Sequence, residues 1–390
     1  MSDKSNSRGC LQGIRVIDLT RVLAGPFCTM LLADMGAEVI KIEKKGEGDD
    51  SREYPPFMGG VSVYFANLNR SKKSVDLNLK NPEDHQILLQ LIQTADVLIE
   101  NFRPGTMEKL GLSYEAVKEI NPQIIYTSIS GFGQTGRYRD RSGYDIVGQA
   151  MSGLMSVSGW PGTPPTRTGT AISDILGGLN ACIGILAAIR SREKFGRGER
   201  IDVALVDSSV SAMETLMQIY LSEHRIPGPI GNRYEFIYPY DTFQAEDGWI
   251  VIACGNDAMW KRLCKVMGRD DLRNADKFSS NAKRVACHEE LFDLINEWTK
   301  KSAKAEIEQR LLADSIPSCQ IYNVKEVAED DHIVKDREMI IEVPHPLKGS
   351  MKVIGNPIKF RNNNFENKGP APLLGQHREE IIKEVLKRGE

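Results

Sequence analysis

From Leu11 onward, short β-rich runs alternate with helical ones, the signature of βαβ units on a parallel sheet. Ile14–Leu19, Glu38–Glu43, Ser74–Leu79, the run DVLIEN ending at Asn101, Ile124–Ile129 and the run IDVALV after GRGER read as strands. Pro26–Met35, Pro82–Ala95 and Thr106–Ile120 read as helices between them, the first with proline near its start, where a missing N–H has no partner to lose. A doubly wound α/β sheet is expected. Around Ser222–Tyr240 prolines and glycines accumulate and the alternation stops, which marks a linker. The spacing predicts the N-terminal part of a large domain over 11–221, a linker over 222–240 and a small domain over 241–322. A return linker and the C-terminal part of the large domain follow over 323–390, ending in an amphipathic helix, His377–Lys387.

A chain of 390 residues exceeds one ordinary core and has interior enough to hide a sizeable ligand. The formal net charge of −3 leaves no basic excess to neutralise phosphates, so nucleic acid is not an expected partner. Apolar windows stop short of the roughly 20 residues a membrane span needs, and MSDKSNSRGC at the start lacks the apolar core of a secretory signal. A cytoplasmic protein without membrane contact is expected. Seven cysteines, odd in number and without CxxC spacing, argue for reduced thiols and against a zinc site or disulfide framework. Six histidines, none at HxxxH spacing, add no metal signal.

Three features carry chemistry. Gly131–Gly136 (GFGQTG) matches a dinucleotide fingerprint after a strand, but RYRDRSGYD follows it where an apolar helix is required, so it reads as a glycine-rich turn. Basic residues recur near the expected carboxyl ends of strands: Lys44, Lys45, Lys72, Lys73, Lys80, Arg103 and Lys109, with Arg137, Arg139 and Arg141 further on. They either converge on a phosphate-bearing ligand or are solvated surface charges. Within Thr168–Ala188 (TGTAISDILGGLNACIGILAA), Asp174 stands at the mouth of an apolar helix interrupted by Asn180. The helix dipole there favours an ionised carboxylate, which serves as an N-cap, a nucleophile, or both. Asp145, in SGYD, is a second acid in weakly charged surroundings.

The segments LQGIRVIDLTRVLAGPFCTMLLADMGAEVIKIEKKGEGDDSR, ADVLIENFRPGTMEKLGL, NPQIIYTSISGFGQTG, SGYDIVGQAMSGLMSVSG, TGTAISDILGG, GRGERIDVALVDS and PAPLLGQH occur in this order from Leu11 to His377. Together they resemble the class III coenzyme A transferases, which move CoA from an acyl-CoA to a free carboxylate. The resemblance implies a Rossmann-like large domain, a smaller α+β domain and two chains interlocked as rings in a homodimer. It implies Asp174 as nucleophile, acyl-CoA and a small carboxylic acid as substrates, and no tightly bound cofactor or metal. It also implies CoA contacts from Val22 and Ala24 in the first strand-to-helix turn, from the basic Lys44, Lys80 and Lys109, and from Leu77 beside the adenine. Asn101 and Phe102 match pocket residues, with Arg103 beside them as a further contact, and Tyr144, Asp145 and Leu205 match positions at the pantetheine or acyl end.

Two departures narrow the resemblance. Leu23 stands where the formyl-CoA enzyme, which uses oxalate, has glutamine, which argues against oxalate as acceptor. The related α-methylacyl-CoA racemases have Gly-His-Asp where this chain reads Gly143-Tyr144-Asp145. A tyrosine, with an ordinary pKa of about 10, is a poor second acid/base at neutral pH. A racemase and a non-catalytic CoA-binding protein stand as the alternatives, the first expected to exchange an α-proton and the second to form no covalent adduct. Arg137, Arg139, Arg141 and Arg233 are candidates to pair the distal carboxylate of a dicarboxylic acid.

Overall fold

Six short strands set the frame: β1 (Arg15–Asp18), β2 (Glu38–Lys44), β3 (Lys73–Leu77), β4 (Val97–Glu100), β5 (Ile125–Ser130) and β6 (Glu199–Ala204). The computed structural model describes residues 9–347, 349–360 and 369–389; the polar opening at 1–8 and part of the turn-rich stretch, 361–368, lie outside them. All six strands pair in parallel, in the order β3-β2-β1-β4-β5-β6. The central strands are covered on both faces, and the apolar runs of β1 and β4 are buried, while the edge strand β6 (ERIDVA) leaves Glu199, Arg200 and Asp202 exposed. Alternate residues go to opposite sides: Val16, Val97, Ile99 and Ile125 join one core cluster, while Ile17, Leu98 and Tyr126 join the other. The chain winds from β1 out to β3 and then returns to lay β4 on the other side of β1. The order therefore reverses between the carboxyl ends of β1 and β4, the place where open α/β sheets bind ligands.

Between these strands run α1 (Ala24–Asp34), α2 (Val63–Asn69), α3 (Pro82–Gln93), α4 (Tyr114–Ile120), α5 (Asp145–Met151) and α6 (Ile172–Phe195), and α7 (Leu205–Ser211) and α8 (Glu214–Glu223) follow β6. The helix expected over Thr106–Ile120 is two helices, Thr106–Lys109 and α4, because Gly111 turns left-handed (φ +72°) and the Ser113 hydroxyl caps the second by accepting from the Ala116 N–H at 3.2 Å. Helix α6, at 24 residues, is long and apolar enough to cross a membrane by length and composition, which corrects the expectation that no window reaches span length. Ala181, Cys182, Ile185, Ala188 and Ile189 nevertheless bury one face of it in the first core cluster, where it packs on α1. Asn180 lies on its exposed face and interrupts nothing.

The chain divides into two compact units, one of Met1–Met155, Arg167–Ile226 and Asp331–Glu390, the other of Ser156–Thr166 and Pro227–Asp330. The first holds the six-stranded sheet. The C-terminal helix Arg378–Gly389 also belongs to it: Ile381 is fully buried in the second core cluster, and Arg378 pairs with Asp84 at 2.6 Å. The second unit is α+β. Strands β7 (Tyr240–Ala245), β8 (Gly248–Ala253) and β9 (Ser318–Gln320) form an antiparallel sheet covered by α9 (Asp257–Met267), α10 (His288–Thr299) and α11 (Lys304–Ala313) over a core of Phe243, Ile250, Trp260, Phe278 and Leu291.

Candidate active site

At the switch point the chain leaves β1 through Thr20–Leu23 and enters α1. The turn is tight: a Cβ on Gly25 would fall 2.2 Å from the Thr20 Cβ, so only glycine fits there. Val22 has φ +66°, a left-handed conformation that β-branched residues avoid. Across the switch point, Asn101 at the end of β4 holds Arg21 by both main-chain groups, accepting from its N–H at 2.9 Å and donating to its carbonyl at 2.8 Å.

Asp174 is the third residue of α6, not its cap. The N-cap position is Ala171, which has no side-chain acceptor to offer, and the acceptor comes instead from Asp145 at the start of α5. One Asp145 oxygen takes the Ser173 N–H at 2.9 Å; the other takes a hydrogen from the Gln149 amide at 2.8 Å. Gln149 is fully buried, and its carbonyl oxygen accepts from the Thr168 N–H at 2.9 Å, so one amide pins the strand of chain entering α6 to the acid that caps it. Glycines bring these pieces together. Gly131 touches Gly143, where a Cβ would stand 2.6 Å from the opposite Cα, and this draws the SGYD segment onto the carboxyl end of β5. Gly178 lies against the start of α1, where a Cβ would be 2.6 Å from the Ala24 carbonyl oxygen. Asp174, four residues earlier, shares that face of α6 and so faces the Val22–Ala24 turn.

Burial, with the Asp145 carboxylate adding to it, pushes Asp174 up to about 7. The expected ionisation by the helix dipole is thus outweighed by desolvation and a like charge, and the carboxyl is only half ionised near neutrality. Burial and then the Asp174 charge push the Tyr64 phenol up to about 12, which places Tyr64 of α2 close enough to feel Asp174. Glu100, at the end of β4, is 3% exposed and raised to about 7 by burial, against a hydrogen bond it accepts from the Phe102 N–H at 2.8 Å. Sequence reasoning missed Gln149, Tyr64 and Glu100. Only Glu100 carried a signal, an acid closing an otherwise apolar strand.

The remaining expected residues divide by what they have free. Lys44, Lys80, Arg103, Lys109 and Tyr144 are exposed near the carboxyl edge, Tyr144 at 75%. Lys44 pairs with the exposed Glu47, and Arg103 donates to the Asp140 carbonyl at 3.2 Å. Phe102 is half-buried, and Ala24 and Leu205 are buried at helix starts. Leu77 is 1% exposed and its side chain fills the second core cluster, leaving no surface for a base. Lys72 and Lys73, read as carboxyl-edge charges, stand at the amino end of β3 because that strand starts at Lys73. Lys72 is buried against Asp18 at 3.2 Å, and Lys73 pairs with Glu38 and Glu380. Arg141 stacks on Tyr138 at 3.9 Å from the ring centre, while Arg233 belongs to the second unit. The GFGQTG segment is an irregular turn with left-handed Gly133 and Gly136 and no helix directly after it.

The family description CoA-transferase family III matches residues 11–378. A succinyl-CoA:mesaconate CoA-transferase from Haloarcula marismortui is 40% identical over 387 residues, covering 97% of this chain and 96% of its own. An acetyl-CoA:oxalate CoA-transferase from Acetobacter aceti is 40% identical over 379 residues, again covering 97% and 96%. The crystal structure of a CAIB/BAIF family protein from Brucella suis superposes with a TM-score of 0.87 at 36% identity, over 97% of this chain and 100% of the other.

Proposed function

Since the chain belongs to CoA-transferase family III and is a CoA-transferase, we propose that it carries CoA from succinyl-CoA or a similar acyl-CoA to a free carboxylic acid through covalent intermediates on Asp174. An Asp174 carboxylate oxygen attacks the thioester carbonyl, the C–S bond breaks, and the CoA thiolate leaves a mixed anhydride. The thiolate then attacks the aspartyl carbonyl of that anhydride and expels the donor acid as its carboxylate, giving an aspartyl-CoA thioester. The acceptor carboxylate attacks this thioester to form a second anhydride and free thiolate. Attack of the thiolate on the acceptor's acyl carbon makes the new acyl-CoA and restores Asp174. Every group is carried covalently, so the sequence of steps calls for no electron or metal.

The observation that carries this reading is the position of Asp174: one turn before Gly178, on the face of α6 that meets the strand-to-helix turn at the sheet's switch point. Its half-buried position suits the chemistry, because water reaching either intermediate would hydrolyse it. Lys44, Lys80, Arg103 and Lys109 at the carboxyl edge are the proposed phosphate contacts, with the Val22 and Ala24 main chain, Asn101, Phe102, Tyr144, Asp145 and Leu205 along the rest of the ligand. Relatives named for mesaconate and oxalate support a dicarboxylic acceptor. The oxalate relative keeps that acid in the panel despite Leu23. We further propose a cytoplasmic homodimer, consistent with the exposure of Leu179 and Ile183 on α6.

Incubation with succinyl-CoA followed by mass analysis is expected to find CoA on the peptide containing Asp174, released by hydroxylamine. Asp174→Asn is expected to abolish the adduct and slow transfer by at least about 10³-fold. Transfer near the wild-type rate in that variant would refute the mechanism. In a panel of acceptors, equal rates for mono- and dicarboxylates would refute the dicarboxylate assignment.

A further inference from the structure

Side chains from several strand ends grip the main chain of Thr20, Arg21 and Val22. Asp18 on β1 accepts from the Thr20 N–H at 2.9 Å, Lys41 on β2 donates to the Thr20 carbonyl at 2.6 Å, and Asn101 takes both groups of Arg21. Asp49, in the loop after β2, accepts from the Val22 N–H at 3.1 Å. Asp49 and Lys41 are themselves an ion pair at 2.8 Å, with side chains 1% and 0% exposed. The Asp49 carboxylate is fixed from a third direction by the Ser51 N–H and hydroxyl at 2.9 and 2.7 Å, and its own N–H donates to Glu43 at 3.0 Å. Burial works against both charges. Lys41 nonetheless holds Asp49 well below the carboxylate range, and Asp49 and Asp18 hold the Lys41 amine above its usual value.

A buried ion pair is a poor way to gain stability, since apolar residues of the same volume commonly serve as well. In some folds buried charges are kept because they specify one conformation. The pair holds the two ends of this three-residue turn, Lys41 at Thr20 and Asp49 at Val22, and Val22 is the one whose φ of +66° a β-branched residue does not adopt unaided. We propose that Asp49, neutralised by Lys41, is a positioning residue for CoA transfer: it holds Val22 left-handed and so sets the path of the turn on which acyl-CoA is bound beside Asp174. The inference rests on the reading that acyl-CoA lies along this turn.

The test uses free coenzyme A, whose binding needs no chemistry at Asp174, measured by calorimetry alongside isotope exchange between succinyl-CoA and labelled succinate. Asp49→Asn keeps the shape and removes the charge; it is expected to weaken CoA binding about tenfold and to raise the KM for succinyl-CoA by a similar factor, with a smaller change in kcat. Glycine adopts φ +66° freely, so in a Val22→Gly background Asp49→Asn is expected to weaken binding less than threefold. Lys41→Met/Asp49→Leu, which leaves no unpaired buried charge to unfold the protein, is expected to lose CoA affinity by about the same tenfold. Wild-type affinity in Asp49→Asn or in the paired replacement overturns the proposal. So does an equal loss in the wild-type and Val22→Gly backgrounds, since that loss would not pass through the strained residue. Failure of wild-type protein to form the Asp174 adduct would count against the catalytic reading alone, because the calorimetric comparison does not depend on it.

Discussion

With Asp174 raised to about 7, kcat/KM for the acyl-CoA is expected to climb with pH through an acid limb centred near 7, as the nucleophilic anion forms. Glu100 is raised to about 7 as well, so the limb alone does not identify its owner. Asp145 does: its charge lifts Asp174, while the main causes that lift Glu100 are burial and then the Glu108 and Asp202 charges. Asp145→Asn is therefore expected to move the limb to lower pH, and a limb that stays in place assigns it to Glu100. The same shift has a consequence for stability. A carboxyl that keeps its proton up to about 7 when folded but loses it near 4 when unfolded makes the fold less stable as pH rises between those values. At pH 8 the wild type bears the whole of that cost, so Asp174→Asn is expected to unfold at higher temperature while losing activity, by roughly 1–3 kcal/mol after allowance for screening. An unchanged or lower midpoint at pH 8 contradicts the raised value. An aspartate at the mouth of an apolar helix was visible in the sequence. Its half-ionised state was not, because that depends on burial in the fold and then on Asp145, which lies 29 positions earlier and is brought to the Ser173 N–H of α6 with the help of the contact of Gly131 with Gly143.

Helix α6 delivers Asp174 only as accurately as it is seated on α1, and Gly178 sets that seating. What the paired glycines 177 and 178 pack against, Leu205 for one and the Ala24 carbonyl for the other, is visible only in the fold. In Gly178→Ala a methyl 2.6 Å from a main-chain oxygen has to push the two helices apart. The expected loss is about 1–3 kcal/mol of stability, with a larger fall in kcat than in acyl-CoA binding, since Asp174 is displaced from the turn that holds the ligand. An alanine variant with wild-type kcat would show that the separation of α1 and α6 does not govern transfer. Lys72 teaches the converse lesson about reading charge from sequence. Two lysines beside a strand looked like an exposed basic edge, yet β3 starts at Lys73, and Lys72 turns inward to Asp18, Thr29 and Asn69. Nothing local distinguishes a lysine that meets solvent from one with a buried partner 54 residues away.

Alternation of strand and helix gave away the parallel sheet, and most element boundaries fell within a few residues of those expected, because apolar runs covered on both faces are unmistakable. The strand order was not legible. It is a property of which crossovers go left and right of β1, and it alone decides that Arg21 and Asn101 meet. What the order leaves uncovered bears on assembly. Along α6 the face opposite the core exposes Leu179 at 38% and Ile183 at 62%, two large apolar side chains one turn apart ahead of the charged end at Arg190–Lys194. If a second copy of the chain covers that stripe, sedimentation is expected to give the mass of two chains, and Ile183→Asp is expected to give one, because a carboxylate buried without a partner at an interface costs several kcal/mol. Asp174 lies nine residues, two and a half turns, N-terminal to Ile183 on the same helix. Loss of the dimer is therefore expected to lower transfer activity along with mass. A wild-type chain that sediments singly while transferring CoA would leave the stripe without a second copy and the site complete within one chain.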